Sequence, residues 1–140
     1  MQRDAAAAEH RQRRGGDAVS NPKILIIDDD KALVTLLSHE LREAGYQVVA
    51  ALDPVQGMMS AKREAPELVL LDVVMPAGGG MPLLEKLLLG KAPVILMTAS
   101  SDPKLEGVAK ATGAAGFLRK PVDPSALRAL VEELLGPPSG

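Results

Sequence analysis

The chain has 140 residues, 46% hydrophobic and 24% charged, with a net charge of −2 and a pI near 5.7. This size and balance suit one soluble domain around one core, and the absence of a global positive field argues against nucleic acid as a partner. There is no cysteine, so disulfides and thiolate metal sites are excluded; the apolar runs fall far short of a bilayer span, and the first residues lack the apolar stretch of an export signal. A cytoplasmic location with no membrane partner is the expectation.

Residues 1–21, MQRDAAAAEHRQRRGGDAVSN, hold four arginines against three acids, a run of alanines and a Gly-Gly pair, without apolar periodicity. They read as a tail, either disordered or ordered over residues 5–14 by a partner, with His10 solvated. From Lys23 onward, short apolar runs alternate with segments of helical period. KILIID (23–28) predicts a strand. Residues 31–44 place Leu33, Leu36, Leu37, Leu41 and Ala44 on one side of a helix, and Gly45 supplies a left-handed end. His39, beside Glu40, reads as an exposed face residue. QVVAAL (47–52) is the second strand. Pro54 opens a weaker helix through Val55, Met58, Met59 and Lys62, ending at EAP (64–66), with the methionines as core filler.

ELVLLD (67–72) is the third strand, and VVMPAGGGMPLLEKLLLG (73–90) holds a loop and a short helix carrying Leu83, Leu84, Leu87 and Leu88. APVILMTAS (92–100) is the fourth strand. Asp102 and Pro103 predict an N-cap and first helical residue, with Leu105, Val108 and Ala109 leading to Gly113. GFLRK (116–120) is the fifth strand. Asp123 and Pro124 repeat the helix start, followed by the stripe Leu127, Leu130, Val131 and Leu134 and a stop at Gly136.

Strands alternating with helices predict an α/β fold with a parallel sheet covered on both faces. The continuous runs ILII, LVLL and VILM agree, since strands buried on both sides need not alternate. In such a doubly wound sheet, ligands bind beyond the carboxyl ends of the strands. Those ends carry Asp28, Asp29 and Asp30, then Asp72, then Thr98 with Ala99, then Lys120 with Pro121. Each alone reads as an ordinary strand end or helix cap. Adjacent carboxylates repel one another unless a cation offsets them, so the acids after the first strand require positive charge from elsewhere. Converging carboxylates, a hydroxyl and an ammonium make a hard oxygen site for Mg2+, to which Asp29 and Asp72 are suited, beside donors for phosphate. No strand end offers cysteine or histidine, which leaves little case for zinc or a redox metal.

The acidic pair after the first strand, LLDVVMP, LMTA and FLRKP occur in one order, with Gly80 eight residues after Asp72. On these motifs the segment from Lys23 to about Leu135 resembles the receiver domain of two-component response regulators. The resemblance implies a flavodoxin-like (βα)5 fold with strand order 2-1-3-4-5, spanning residues 22–136, with 137–140 as a C-terminal tail. It implies a single-domain response regulator that is not an enzyme in the usual sense but assists its own phosphorylation and dephosphorylation. Asp72 would accept a phosphoryl group from a histidine kinase or a histidine phosphotransfer protein. Asp29 would ligate Mg2+ directly, together with Asp72 and the backbone carbonyl of Val74, and Asp28 would help indirectly.

By the same resemblance, Lys120 would pair with Asp72 and then with a phosphoryl oxygen, helped by Thr98 and the Ala99 N–H. The Lys120–Pro121 peptide would be cis. Phe117 falls at the family's switch aromatic, partnered by Thr98; without the usual hydroxyl it would work through packing, or be a plain core ring. Output would pass to a protein target or a homodimer through the fourth helix, fifth strand and fifth helix, including Lys104, Arg119, Arg128 and Glu132.

Some residues depart from the pattern. Gly79 stands where the family often has aspartate, GGG (78–80) suggests a flexible loop, and the third helix should be brief. Val74 is apolar and cannot orient a water, which predicts slow loss of the phosphoryl group. A phosphorylation-independent interaction module is one alternative. A haloacid-dehalogenase-like phosphatase is another, but its D-x-D signature wants Thr or Val where Ala32 follows Asp28 and Asp30.

Overall fold

The computed structural model describes residues 21–74 and 80–138. The apolar runs become five strands: β1 (Lys23–Ile27), β2 (Gln47–Ala51), β3 (Leu68–Asp72), β4 (Val94–Thr98) and β5 (Gly116–Arg119). Between and after them lie α1 (Lys31–Glu43), α2 (Pro54–Glu64), α3 (Gly80–Leu88), α4 (Lys104–Thr112) and α5 (Pro124–Leu135). All strand pairs are parallel and the order is β2-β1-β3-β4-β5, as the resemblance implied. The tail to residue 20, with His10, and the loop residues Met75, Pro76, Gly78 and Gly79 lie outside the described residues. Among the described residues no helix is long and apolar enough to cross a membrane.

Successive strand residues point to opposite sides, so one strand feeds two cores. Ile24 and Ile26 of β1 join Leu37 and Leu41 of α1 and Leu127 and Val131 of α5 on one side. Leu25 and Ile27 join Leu84 and Leu87 of α3 and Ala109 of α4 on the other. Burial on both sides explains why the strands read as unbroken apolar runs. Strand order reverses at β1, which sends its connections to opposite sides and leaves a crevice between the carboxyl ends of β1 and β3.

The helices differ from the sequence expectation in which residues they bury. In α1, Val34, Leu37, Ser38 and Leu41 face the sheet, while Leu36 is 50% exposed. The buried residues centre between Leu37 and Ser38, and at about 100° per residue Leu36 lies roughly 150° from that centre, on the outer side of the helix. In α2 the buried residues are Gly57 and Ser60; Val55 is 70% and Met59 56% exposed, and only Met58 of the two methionines packs on the core. The cause is close approach, because a Cβ on Gly57 would sit 2.9 Å from Ile27 Cδ1. Small residues lie closest to the sheet, and Val55 and Met59 are turned outward.

The ends of the helices follow local chemistry. Asp30 Oδ1 accepts from Leu33 N at 3.1 Å, Asp53 Oδ1 from Gln56 N at 2.8 Å, and Asp123 Oδ1 from Ser125 N at 3.0 Å, each capping its helix. Gly45 takes the left-handed φ of 105° expected after α1. At α4 the start is shifted: Pro103 occupies the cap position without a side-chain bond, and Asp102 Oδ1 instead accepts from Lys104 N at 2.9 Å. Val108 is exposed, so α4 meets the sheet mainly through Ala109. His39 lies on the exposed face of α1, 3.6 Å from Glu43. α3 is brief, at nine residues.

Gly57→Ala tests the close approach. Helix propensity alone would favour alanine by about 1 kcal/mol, but overpacking against Ile27 costs about 1 to 3 kcal/mol. Urea titration is expected to show net destabilisation, relieved when Ile27→Val is added.

Candidate functional site

Sheet order turns residues distant in sequence into neighbours. The acidic oxygens of Asp28, Asp29 and Asp72 lie within 4.8 Å of one another. Asp28 follows the last residue of β1, and its backbone N–H extends the pairing to Ala51 O at 3.1 Å, so its carboxylate is delivered by the strand itself. It is 0% exposed. Asp72 ends β3 and is 3% exposed, whereas Asp29 reaches solvent. Asp30, the third acid of the run, has left the cluster to cap α1. Its position before a segment of helical period was the signal for that role.

Lys120 supplies the cation. Its Nζ stands 2.7 Å from Asp28 Oδ2 and 3.2 Å from Asp72 Oδ2. Asp28 Oδ1 accepts from Asp30 N at 2.9 Å, and Asp72 Oδ1 from Val74 N at 3.0 Å. Each buried carboxylate therefore has one partner from the backbone and one from the ammonium, as buried charge requires. The Lys120–Pro121 peptide is cis, and Lys120 N donates to Thr98 O at 2.7 Å, which continues the β4–β5 pairing into the site.

Burial pushes the Asp28 carboxyl above its ordinary value, against the lowering effect of the hydrogen bond from Lys120. Burial alone would lower the Lys120 ammonium, but its hydrogen bond and charge interaction with Asp28, reinforced by Asp72, hold it above its usual range. The amine is charged at neutral pH and serves as a fixed positive centre.

Thr98, at the end of β4, is 0% exposed, and its Oγ1 accepts from Ser100 N at 3.0 Å, which leaves the hydroxyl proton available. Val74, two residues beyond Asp72, is apolar and 59% exposed. Phe117 is half-buried under α4, packed with Val73, Leu105 and Ala109 around a small cavity. Over its ring, 5.1 Å from the centroid, lies the Arg119 guanidinium. Arg119 also donates to Ser100 O at 2.6 Å and Asp102 O at 3.0 Å, holding the loop between β4 and α4. Sequence reasoning treated Arg119 as surface; nothing in a lone arginine on a strand announces which carbonyls it will meet. Of the other residues expected on that face, Arg128 pairs with Glu132 at 3.2 Å and approaches Glu40 at 3.8 Å, and Lys104 is exposed.

Three acidic oxygens offer only hard donors, the set that suits Mg2+, and Lys120 limits how much further positive charge the cluster needs. Beside them lie a hydroxyl and an ammonium suited to an anionic phosphoryl group. Residues 24–132 match the response regulator receiver domain family. The chain belongs to that family.

It is a receiver domain of two-component response regulators, and receiver domains generally hold Mg2+ at such an acidic pocket. It is 32% identical, over 82% of its length and 49% of the relative's, to the alkaline phosphatase synthesis transcriptional regulatory protein PhoP of Bacillus subtilis. It is 36% identical to the response regulator PleD of Caulobacter vibrioides, over 80% of this chain and 26% of that protein. The receiver thus spans about half the length of these curated relatives, or less. A CheY-like receiver domain protein from Methanospirillum hungatei superposes with a TM-score of 0.75 at 30% identity, over 81% of this chain and 93% of that one. The BeF3-activated receiver domain of Klebsiella pneumoniae RstA superposes with 0.75 at 28% identity, over 81% and 97%. The fold is that of the receiver domains of signalling proteins.

The ion pairs have a pH signature. Because burial pushes the Asp28 carboxyl above its ordinary value, it costs stability at neutral pH, and that cost is relieved as pH falls through the folded value. The stability from Lys120 is fully present below 10.5 and is lost as pH rises through its higher folded value. Lys120→Met is expected to destabilise the protein at pH 7 by about 3 kcal/mol, the scale of stranding a buried carboxylate. The deficit should shrink as pH falls through the folded Asp28 value and the carboxyl protonates; urea titrations at pH 7 and in acid measure it.

Proposed function

We propose that this receiver is a phosphorylation switch in which Asp72 accepts a phosphoryl group from a histidine kinase or a histidine phosphotransfer protein. The observation that carries the reading is the contact of one ammonium with two buried carboxylates, Asp28 and Asp72, at 2.7 and 3.2 Å. In the step, an Asp72 oxygen forms a bond to phosphorus while the bond from phosphorus to the donor's imidazole nitrogen breaks, and the electron pair stays on that nitrogen. Lys120 and the Thr98 hydroxyl would then hold the phosphoryl oxygens with the Ala99 N–H, spreading charge that otherwise raises the barrier. Bound Mg2+ would supply further neutralisation of that charge. Asp29, exposed, and Asp72 would hold it directly with the Val74 carbonyl. Asp28, whose oxygens already have Lys120 and Asp30 N as partners, would act indirectly.

Supporting the switch roles of Thr98 and Phe117 is their placement: both border the loop that starts at Thr98, one through Oγ1 and the other through Arg119 stacked above it. The half-buried ring leaves room for a change of packing without a hydroxyl. Residues 22–136 form the receiver in this reading, and its signal passes by protein contact to a further domain or a separate protein, through the α4–β5–α5 side or a homodimer formed there. No direct contact with nucleic acid is included.

Intact-mass spectrometry with acetyl phosphate and Mg2+ is expected to show one phosphoryl group, absent after chelation and absent in Asp72→Asn; an unlabelled wild-type chain would end the phosphoswitch reading. Mg2+ at about 100 times its dissociation constant should stabilise the chain by about 2.7 kcal/mol, an effect lost in Asp29→Asn. Turnover of a phosphomonoester by the wild type would instead favour a phosphatase.

Val74 makes a separate prediction. With an apolar side chain beside the carboxylates, the aspartyl phosphate should decay slowly, and Val74→Asn, able to orient a water, should decay several-fold faster. Phosphoryl half-lives after removal of the donor measure the difference.

A further inference from the structure

On the side of the sheet served by α2, α3 and α4, the packing of small residues against β1 has a second effect. It leaves a groove between α2 and α3. Two depressions of about 380 and 340 Å3 meet at Met58 and Lys86, which line both. The floor and both walls carry apolar side chains: Val55, Met58 and Met59 from α2, Leu83 and Leu87 from α3, and Val69 beneath them. Val55 and Met59 are turned to solvent, against the usual cost of leaving large apolar side chains in water.

The rim has one sign of charge. Lys62, Lys86 and Lys91 line the groove, and among the described residues no acidic one does. None of these lysines is ion-paired with a described residue, and Glu85, beside Lys86 in sequence, is not among the lining residues. This is a local excess of positive charge on a chain whose net charge is −2. The chain's own first 21 residues, with four arginines against three acids, carry the wrong sign to complement it.

We propose that the α2–α3 groove is a docking site for an acidic amphipathic helix of a partner protein. Methionines fit such a role because an unbranched thioether adapts its shape to different side chains. At 11 residues α2 offers a wall about 16 Å long, which matches a helix of about three turns with apolar anchors at i, i+3, i+4 and i+7. Glutamates and aspartates flanking those anchors would meet the lysines. Half of the groove lies beside Val69 and Ala92, at the amino ends of β3 and β4, on the opposite edge of the sheet from Asp72. Docking there is compatible with an open phosphorylation site.

The probe is a synthetic helical peptide of about 14 residues, with leucines at the anchor positions and glutamates elsewhere. Its counterpart carries lysines in place of the glutamates. Titrated into the full-length 15N-labelled chain without phosphodonor, the acidic peptide should shift amide signals of residues 55–65 and 82–92, and raised salt should weaken it. Lys62→Glu combined with Lys86→Glu and Lys91→Glu should weaken binding at least tenfold, as should Met59→Glu. All of these side chains are exposed, and unchanged thermal unfolding would show that the fold is kept. Equal binding of the lysine peptide, shifts confined to another face, or no binding at millimolar peptide would overturn the proposal. So would capture of the wild type, but not the lysine variant, by phosphatidylglycerol vesicles, or self-association through this face in sedimentation. The assay requires no phosphoryl transfer, so its failure is separate from failure of the switch reading.

Discussion

The contact of the Lys120 ammonium with the carboxylates of Asp28 and Asp72 is the constraint around which this receiver is organised. Two acids shielded from water beside each other would repel; one amine at 2.7 and 3.2 Å lets them coexist. That arrangement requires β1, β3 and β5 to end at the same edge of the sheet. It also requires the β4–β5 pairing to run on past Arg119, with Lys120 N donating to Thr98 O. The stability of the site and its chemistry therefore share the same atoms. In the proposed switch, the amine that stabilises the resting protein would also be the donor to a phosphoryl oxygen.

The two sides of the sheet solve different problems. The side covered by α1 and α5 is closed by long aliphatic side chains and by Tyr46, whose hydroxyl donates to Gly136 O at 3.1 Å and ties the end of α5 to the start of β2. With aromatic residues at only 1% of the chain, the core depends on aliphatic packing, which favours close approach of helix to strand. The other side carries that to its limit at Gly57, where contact with Ile27 leaves no space for a methyl group. Displacement of Val55 and Met59 into solvent follows from that contact, and so does the groove beside α3. The β4–α4 loop belongs to this side too, held by Arg119 over Phe117.

Much of this was legible in the residues themselves. Unbroken apolar runs ending in Asp28, Asp72, Thr98 and Lys120 marked the strands and the edge where chemistry could gather, because a strand buried on both sides shows no alternation and a doubly wound sheet binds at its carboxyl ends. Asp123-Pro124 and Gly45 marked helix ends through purely local geometry. Less legible was the orientation of each helix. Leu36 and Leu37 are equally apolar neighbours, and only the position of the sheet decides that one is exposed and the other buried. Asp29 and Asp30 are adjacent and chemically identical, yet one faces the cluster and the other caps α1.

The sequence by itself thus determined the class of fold, the order of its elements and the identity of the polar residues at the strand ends, since these rest on short-range periodicity and side-chain chemistry. Only the tertiary structure decided which acid shares Lys120, where Arg119 spends its hydrogen bonds and which apolar residues of α2 remain uncovered. Each of those outcomes depends on distances between segments far apart in the chain, which local pattern does not encode.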